Sequence, residues 1–126
     1  MEQDDKVYRV YADGVFDCFH IGHANLLKQA KQCLPGKKVH LIAGVCKQSD
    51  VEKFKGTVDR YVGSCINSEK ERVELVRACK WVDEVFEGAP WIIDESTASL
   101  ILEFLVDNNI DYVAHDDIPY VTVGTE

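Results

Sequence analysis

Apolar residues crowd the stretch Val7-Tyr8-Arg9-Val10-Tyr11-Ala12, β-branched and aromatic in type, and predict a first strand behind a short acidic leader. From His23 to Leu34 the period changes. Ala24, Leu27, Ala30 and Leu34 recur at helical spacing with Lys28 and Lys31 on another face, and Pro35-Gly36 closes the helix. Val39 to Val45 is nearly all apolar, as a strand buried on both faces should be. No period runs through Cys46 to Ile66, which holds Gly56 and Gly63, so a long loop is expected there. Ser68-Glu69-Lys70-Glu71 is a capping-box pattern, with Val73, Val76 and Cys79 behind it at helical spacing. A short strand over Val82 to Phe86, a loop opening at Pro90-Trp91, a helix over Ser99 to Val106 and a strand at Tyr112-Val113-Ala114 follow. There is no internal repeat.

Strands alternating with helices at this spacing predict βαβ units, and so a single α/β domain over residues 1–126 with a parallel sheet in three layers. Such sheets bind ligands beyond the C-terminal ends of their strands, where the strand order switches. Three features fall on that edge: Asp13 to His23 after the first strand, the long loop after the second, and His115-Asp116-Asp117 after the fourth.

Charge narrows the chemistry. A formal net charge of −8 on 126 residues leaves no basic footprint for nucleic acid. It also means that a polyanionic ligand needs local cations, a helix N-terminus or a metal ion at its site. The five scattered cysteines read as reduced thiols packed as small hydrophobes. No run reaches the length of a membrane span, and Met1-Glu2-Gln3-Asp4-Asp5 has the wrong charge for a signal peptide. A cytoplasmic location is expected, with the nucleus left open.

His20 and His23 stand three apart around Gly22 where strand gives way to helix. As metal ligands they lack a third partner at a recognised interval. As core residues they would sit among Phe16, Phe19 and Ile21. As phosphate ligands they make the best chemical sense. Gly22 lets a ligand approach the backbone, the helix N-terminus attracts anions, and imidazoles can donate to phosphoryl oxygens whose charge grows in a transition state.

The same stretch resembles the H-x-G-H signature of the nucleotidyltransferase superfamily. Asp13-Gly14-Val15-Phe16-Asp17, Phe54-Lys55-Gly56, Glu71-Arg72, Trp81-Val82-Asp83-Glu84-Val85, Ala89-Pro90-Trp91 and Val113-Ala114-His115-Asp116-Asp117-Ile118-Pro119-Tyr120 follow in that order. Together, over residues 7–120, they resemble the catalytic domain of the choline-phosphate cytidylyltransferases and imply its Rossmann-like fold. The resemblance implies transfer of CMP from CTP to phosphocholine with Mg²⁺ assistance, by in-line attack at the α-phosphorus. His20 and His23 would contact the CTP phosphates and act in catalysis with Lys55. Gly14, Val15 and Phe16 would line the nucleotide with backbone groups, while Arg72 and Asp117 would complete its site. Asp17, Lys55, Trp91, Asp116 and Tyr120 would hold phosphocholine. Aromatic faces and a carboxylate suit a quaternary ammonium, which has no N–H to donate. The ethanolamine enzymes usually differ around the His-Asp-Asp segment, so choline is favoured, with phosphoethanolamine the alternative acceptor. A homodimer is implied, with Trp81 to Val85 in the contact.

Plainer roles stay open beside these. Lys55 reads equally as a solvated loop lysine, Arg72 as part of a helical charge pattern with Glu69 and Glu74, Asp13 and Asp17 as turn and cap residues, and Trp91 as packing beside Pro90. Two departures from the family pattern stand out. The segment between Gly56 and Arg72 is several residues longer than expected, and the R-T-E-G-[IV]-S-T segment with its final helix is not found before Glu126. A nucleotide- or choline-binding module with little turnover, and a metal-binding or structural α/β domain, are the readings from other classes.

Overall fold

The computed structural model describes residues 5–54, 65–90 and 98–114. Strands β1 (Val7–Gly14), β2 (Lys38–Cys46), β3 (Glu84–Ala89) and β4 (Tyr112–Val113) pair in parallel in the order β3-β2-β1-β4. Helices α1 (Ile21–Lys31), α2 (Gln48–Phe54), α3 (Glu69–Arg77) and α4 (Ala98–Asp107) occupy the connections. The fold is α/β and Rossmann-like. The chain steps outward from β1 to β3, then returns past β1 to β4, so the strand order switches between β1 and β4.

Alternation along the strands divides the core. Val10, Ala12, Leu41, Ala43 and Val45 meet Leu27 and Ala30 of α1 and Val73 and Val76 of α3 on one face. Tyr11 and Ile42 meet Leu105, Phe104 and Phe86 on the other. Two covered faces explain why β2 reads as a continuous apolar run. Gly44 is required by its neighbour across the β1–β2 pair, because a Cβ there would stand 2.0 Å from the Tyr11 hydroxyl oxygen. Among the described residues no helix is long and apolar enough to cross a membrane. The five cysteines form no disulfide.

Three element boundaries correct the sequence reading. The expected loop after β2 begins with a helix, α2, in which Val51 is the fully buried anchor among the described side chains and the Gln48 N–H donates to Glu69 Oε1 at 2.7 Å. A helix with a single described anchor shows no period. Helix α1 starts at Ile21, two residues before the expected start at His23, because histidines supply its cap. Strand β3 starts at Glu84, since Val82 N–H bonds back to Cys79 O in a turn and Asp83 N–H reaches Leu41 O.

Candidate active site

The end of β1 and the head of α1 form the centre of the site. A helix start leaves backbone N–H groups without intrahelical partners. At α1 the two histidines meet part of that need reciprocally. His20 Nδ1 accepts from Gly22 N–H at 3.0 Å, and His23 Nδ1 accepts from His20 N–H at 3.1 Å, an imidazole version of the capping box. A neutral ring that accepts at Nδ1 carries its proton on Nε2, so each histidine keeps an Nε2–H donor beyond its capping role. The rings stack at 4.0 Å between centroids, and Phe16 and Phe19 pack on His23 at 5.6 and 5.4 Å. Gly22 makes room for this, because a Cβ there would lie 2.7 Å from His20 Cε1. No acidic residue occupies the first turn of α1, which leaves the positive end of its dipole uncompensated there.

The lead-in to α3 grips the β1–α1 turn. Asp17 accepts from the N–H groups of Ile66 at 2.9 Å and Asn67 at 2.8 Å, and Cys18 N–H donates to Asn67 Oδ1 at 3.0 Å. Partial burial pushes the Asp17 carboxyl up, but the Asn67 and Ile66 N–H groups and the Arg72 charge pull harder and hold it below its usual range. Arg72 is fully buried, so a role in the surface charge pattern of α3 is corrected. One guanidinium nitrogen donates to Val15 O at 2.8 Å and Cys46 O at 3.0 Å, and the other to Gln48 Oε1 at 3.1 Å. It thus ties the end of β1, the end of β2 and the start of α2. Among the described residues, Arg72 Nε and the Tyr11 hydroxyl are the buried side-chain atoms without a hydrogen bond.

The structure therefore brings together Gly14, Val15, Phe16, Asp17, His20, His23 and Arg72 at the C-terminal edge of β1 and β2. The Phe16 ring is buried and lies so close to Gly14 that a Cβ there would stand 3.0 Å from it. Lys55, Trp91, Asp116, Asp117 and Tyr120 lie outside the described residues. In the Trp81–Val85 segment, Trp81, Val82 and Val85 pack against the core of their own chain, and Asp83 accepts from Lys31 and from Leu41 N–H. Asn67 and Gln48 are supporting residues that sequence reasoning missed, because their contacts join segments far apart along the chain and no local pattern signals them. Phe19, named beside the histidines from the sequence, does pack on His23.

A protein-family model described as cytidylyltransferase-like matches residues 11–126. The probable choline-phosphate cytidylyltransferase of Schizosaccharomyces pombe is 49% identical over 94% of this chain and 28% of its own length. Choline-phosphate cytidylyltransferase 2 of Arabidopsis thaliana is 46% identical over 92% of this chain and 33% of its own. The ethanolamine-phosphate cytidylyltransferase of Dictyostelium discoideum is 39% identical over 96% of this chain and 28% of its own. The chain thus spans about a third or less of these relatives. Among solved structures, the lipopolysaccharide core biosynthesis protein from Thermoplasma volcanium shares the fold, with a TM-score of 0.52 at 22% identity over 89% of this chain and 98% of its own.

Proposed function

The chain belongs to the cytidylyltransferase-like family, and on that premise we propose that it transfers CMP from CTP to phosphocholine, giving CDP-choline and pyrophosphate. The observation that carries this reading is the pair of histidines heading α1 beside the strand-order switch, with both Nδ1 atoms committed to backbone. Identity of 49% and 46% to proteins named for choline phosphate, against 39% to one named for ethanolamine phosphate, favours the choline acceptor.

The chemistry asks for positioning and charge neutralisation rather than a covalent intermediate. The phosphocholine oxygen attacks the α-phosphorus in line, and pyrophosphate leaves on the opposite side. The Nε2–H groups of His20 and His23 donate to phosphate oxygens as charge builds there. Gly14, Val15 and Phe16 line the nucleotide with backbone groups. Arg72 holds the surrounding backbone in place as it completes the nucleotide site with Asp117, and Lys55 neutralises charge between the two substrates. Asp17, Trp91, Asp116 and Tyr120 receive phosphocholine. On a chain of net charge −8, Mg²⁺ would supply the charge neutralisation a triphosphate needs. Among the described residues no three His, Cys, Asp or Glu side chains gather around a common point, so no protein ligand is assigned to the ion. A homodimer, which stands on the family resemblance, and a cytoplasmic location, which stands on the sequence pattern, belong to the same proposal.

Pyrophosphate release from CTP and Mg²⁺, with phosphocholine and phosphoethanolamine tested side by side, tests this reading. Release with phosphocholine roughly five- to thirty-fold faster is expected, since recognition of the quaternary ammonium is worth about 1–2 kcal/mol. Preference for phosphoethanolamine, or no release with either, contradicts it.

A further inference from the structure

Between Gly14 and Ile21 the chain enters the left-handed region twice, at Phe16 with φ 56° and at Cys18 with φ 49°. Neither residue is glycine, and such conformations persist only where the surroundings over-determine them. At Phe16 the fixing agent is packing, since its ring is buried in the core beside His23. At Cys18 it is not, because that side chain is exposed. What Cys18 offers is its N–H, which donates to Asn67 Oδ1 at 3.0 Å. Asn67 returns a bond from its own N–H to Asp17 Oδ1 at 2.8 Å. Asn67, two residues ahead of α3, therefore accepts from one member of the turn and donates to the member before it. The turn so held runs directly into His20, the cap of α1.

We propose that Asn67 is a positioning residue for the reaction: its side-chain carbonyl fixes the strained Cys18 backbone, and through that turn it sets where His20 and His23 present their Nε2–H groups. Asn67 touches no substrate in this scheme. Leucine at 67 has a similar branched shape and no acceptor, whereas aspartate keeps an acceptor oxygen in the same place. The inference rests on His20 and His23 handling phosphate, so one readout is recorded without substrate.

The experiment compares the full chain with Asn67→Leu and Asn67→Asp by steady-state kinetics and by ¹⁵N spectra of the histidine rings. Asn67→Leu is expected to lower kcat about tenfold while leaving KM for CTP within about threefold, because misplaced donors act on the transition state. Its His20 and His23 ring-nitrogen signals should shift while the amide spectrum stays dispersed. Asn67→Asp should restore kcat to within about threefold of wild type, and the ring signals with it. Should leucine prevent folding, Asn67→Ala gives the same contrast. Unmoved ring signals in the variant lacking the acceptor, or equal losses in the Leu and Asp variants, would overturn the proposal. A wild-type chain that releases no pyrophosphate counts against the proposed function instead, and the ring signals alone then decide the role of Asn67.

Discussion

Each histidine at the head of α1 works with two different nitrogens. Nδ1 is spent on the backbone, where it accepts from Gly22 or from His20 itself. In the proposed reaction, Nε2–H donates to the phosphates. Asparagine separates the two tasks, since its amide oxygen sits near the position of Nδ1, it is among the best N-cap residues, and nothing in it reaches as far as Nε2. His20→Asn and His23→Asn are each expected to melt within about 3 °C of wild type and to lose about 100-fold or more in kcat. Calorimetry and steady-state kinetics on the same samples check this, and wild-type rates would mean that the imidazoles serve only as caps. The place of the histidines was legible in the sequence: both fall around a glycine where strand gives way to helix. Their capping was not, because histidine is seldom read as a cap residue. Nor was the burial of Arg72, which looks locally like any arginine in a charged helix.

Helices α1 and α3 begin differently, and the contrast separates a site from its support. The start of α3 is closed by its own sequence: Ser68 Oγ accepts from Glu71 N–H, Glu71 Oε1 accepts from Ser68 N–H, and Glu69 and Glu71 place negative charge in the first turn. The start of α1 is capped by its own histidines but carries no such charge, and the turn leading into it is held by the residues just ahead of α3. Asp17 links the two starts, and its link depends on pH. Its carboxyl is held below the ordinary value of 3.8 in the folded chain, so ionisation stabilises the fold. That contribution is complete above the unfolded value and disappears as pH falls through the lower folded one. Asp17→Asn should therefore melt below wild type by a constant margin at neutral pH, and the gap should close below about pH 4. Thermal melts across pH 2.5–7 read it, and a gap independent of pH would contradict the ionic part of the link. The α3 start was legible because Ser-x-x-Glu is a local signal. Helix α2 was not, because its anchoring runs through Val51, Glu69 and Arg72 rather than through a repeat along its own seven residues.

At the scale of the molecule, the parallel sheet delivers the ends of β1 and β2 and the head of α1 to one edge, beside the switch between β1 and β4. The alternation of strand and helix made that edge foreseeable. The clasp from the α3 lead-in to the β1–α1 turn was not, since it joins segments about fifty residues apart. A chain of net charge −8 has no general attraction for a nucleotide triphosphate, so binding must be confined to the place where the local field reverses. The start of α1, whose first turn holds no acidic residue, is the place the proposed function uses. Titration of the ¹⁵N-labelled chain with CTP and Mg²⁺, followed amide by amide, tests this most directly. The account predicts that the largest shifts fall between Gly14 and Ala24, with the His20 and His23 ring signals moving at the same CTP concentration. Shifts centred on α4 and β4, or a spectrum that CTP leaves unchanged, would contradict it.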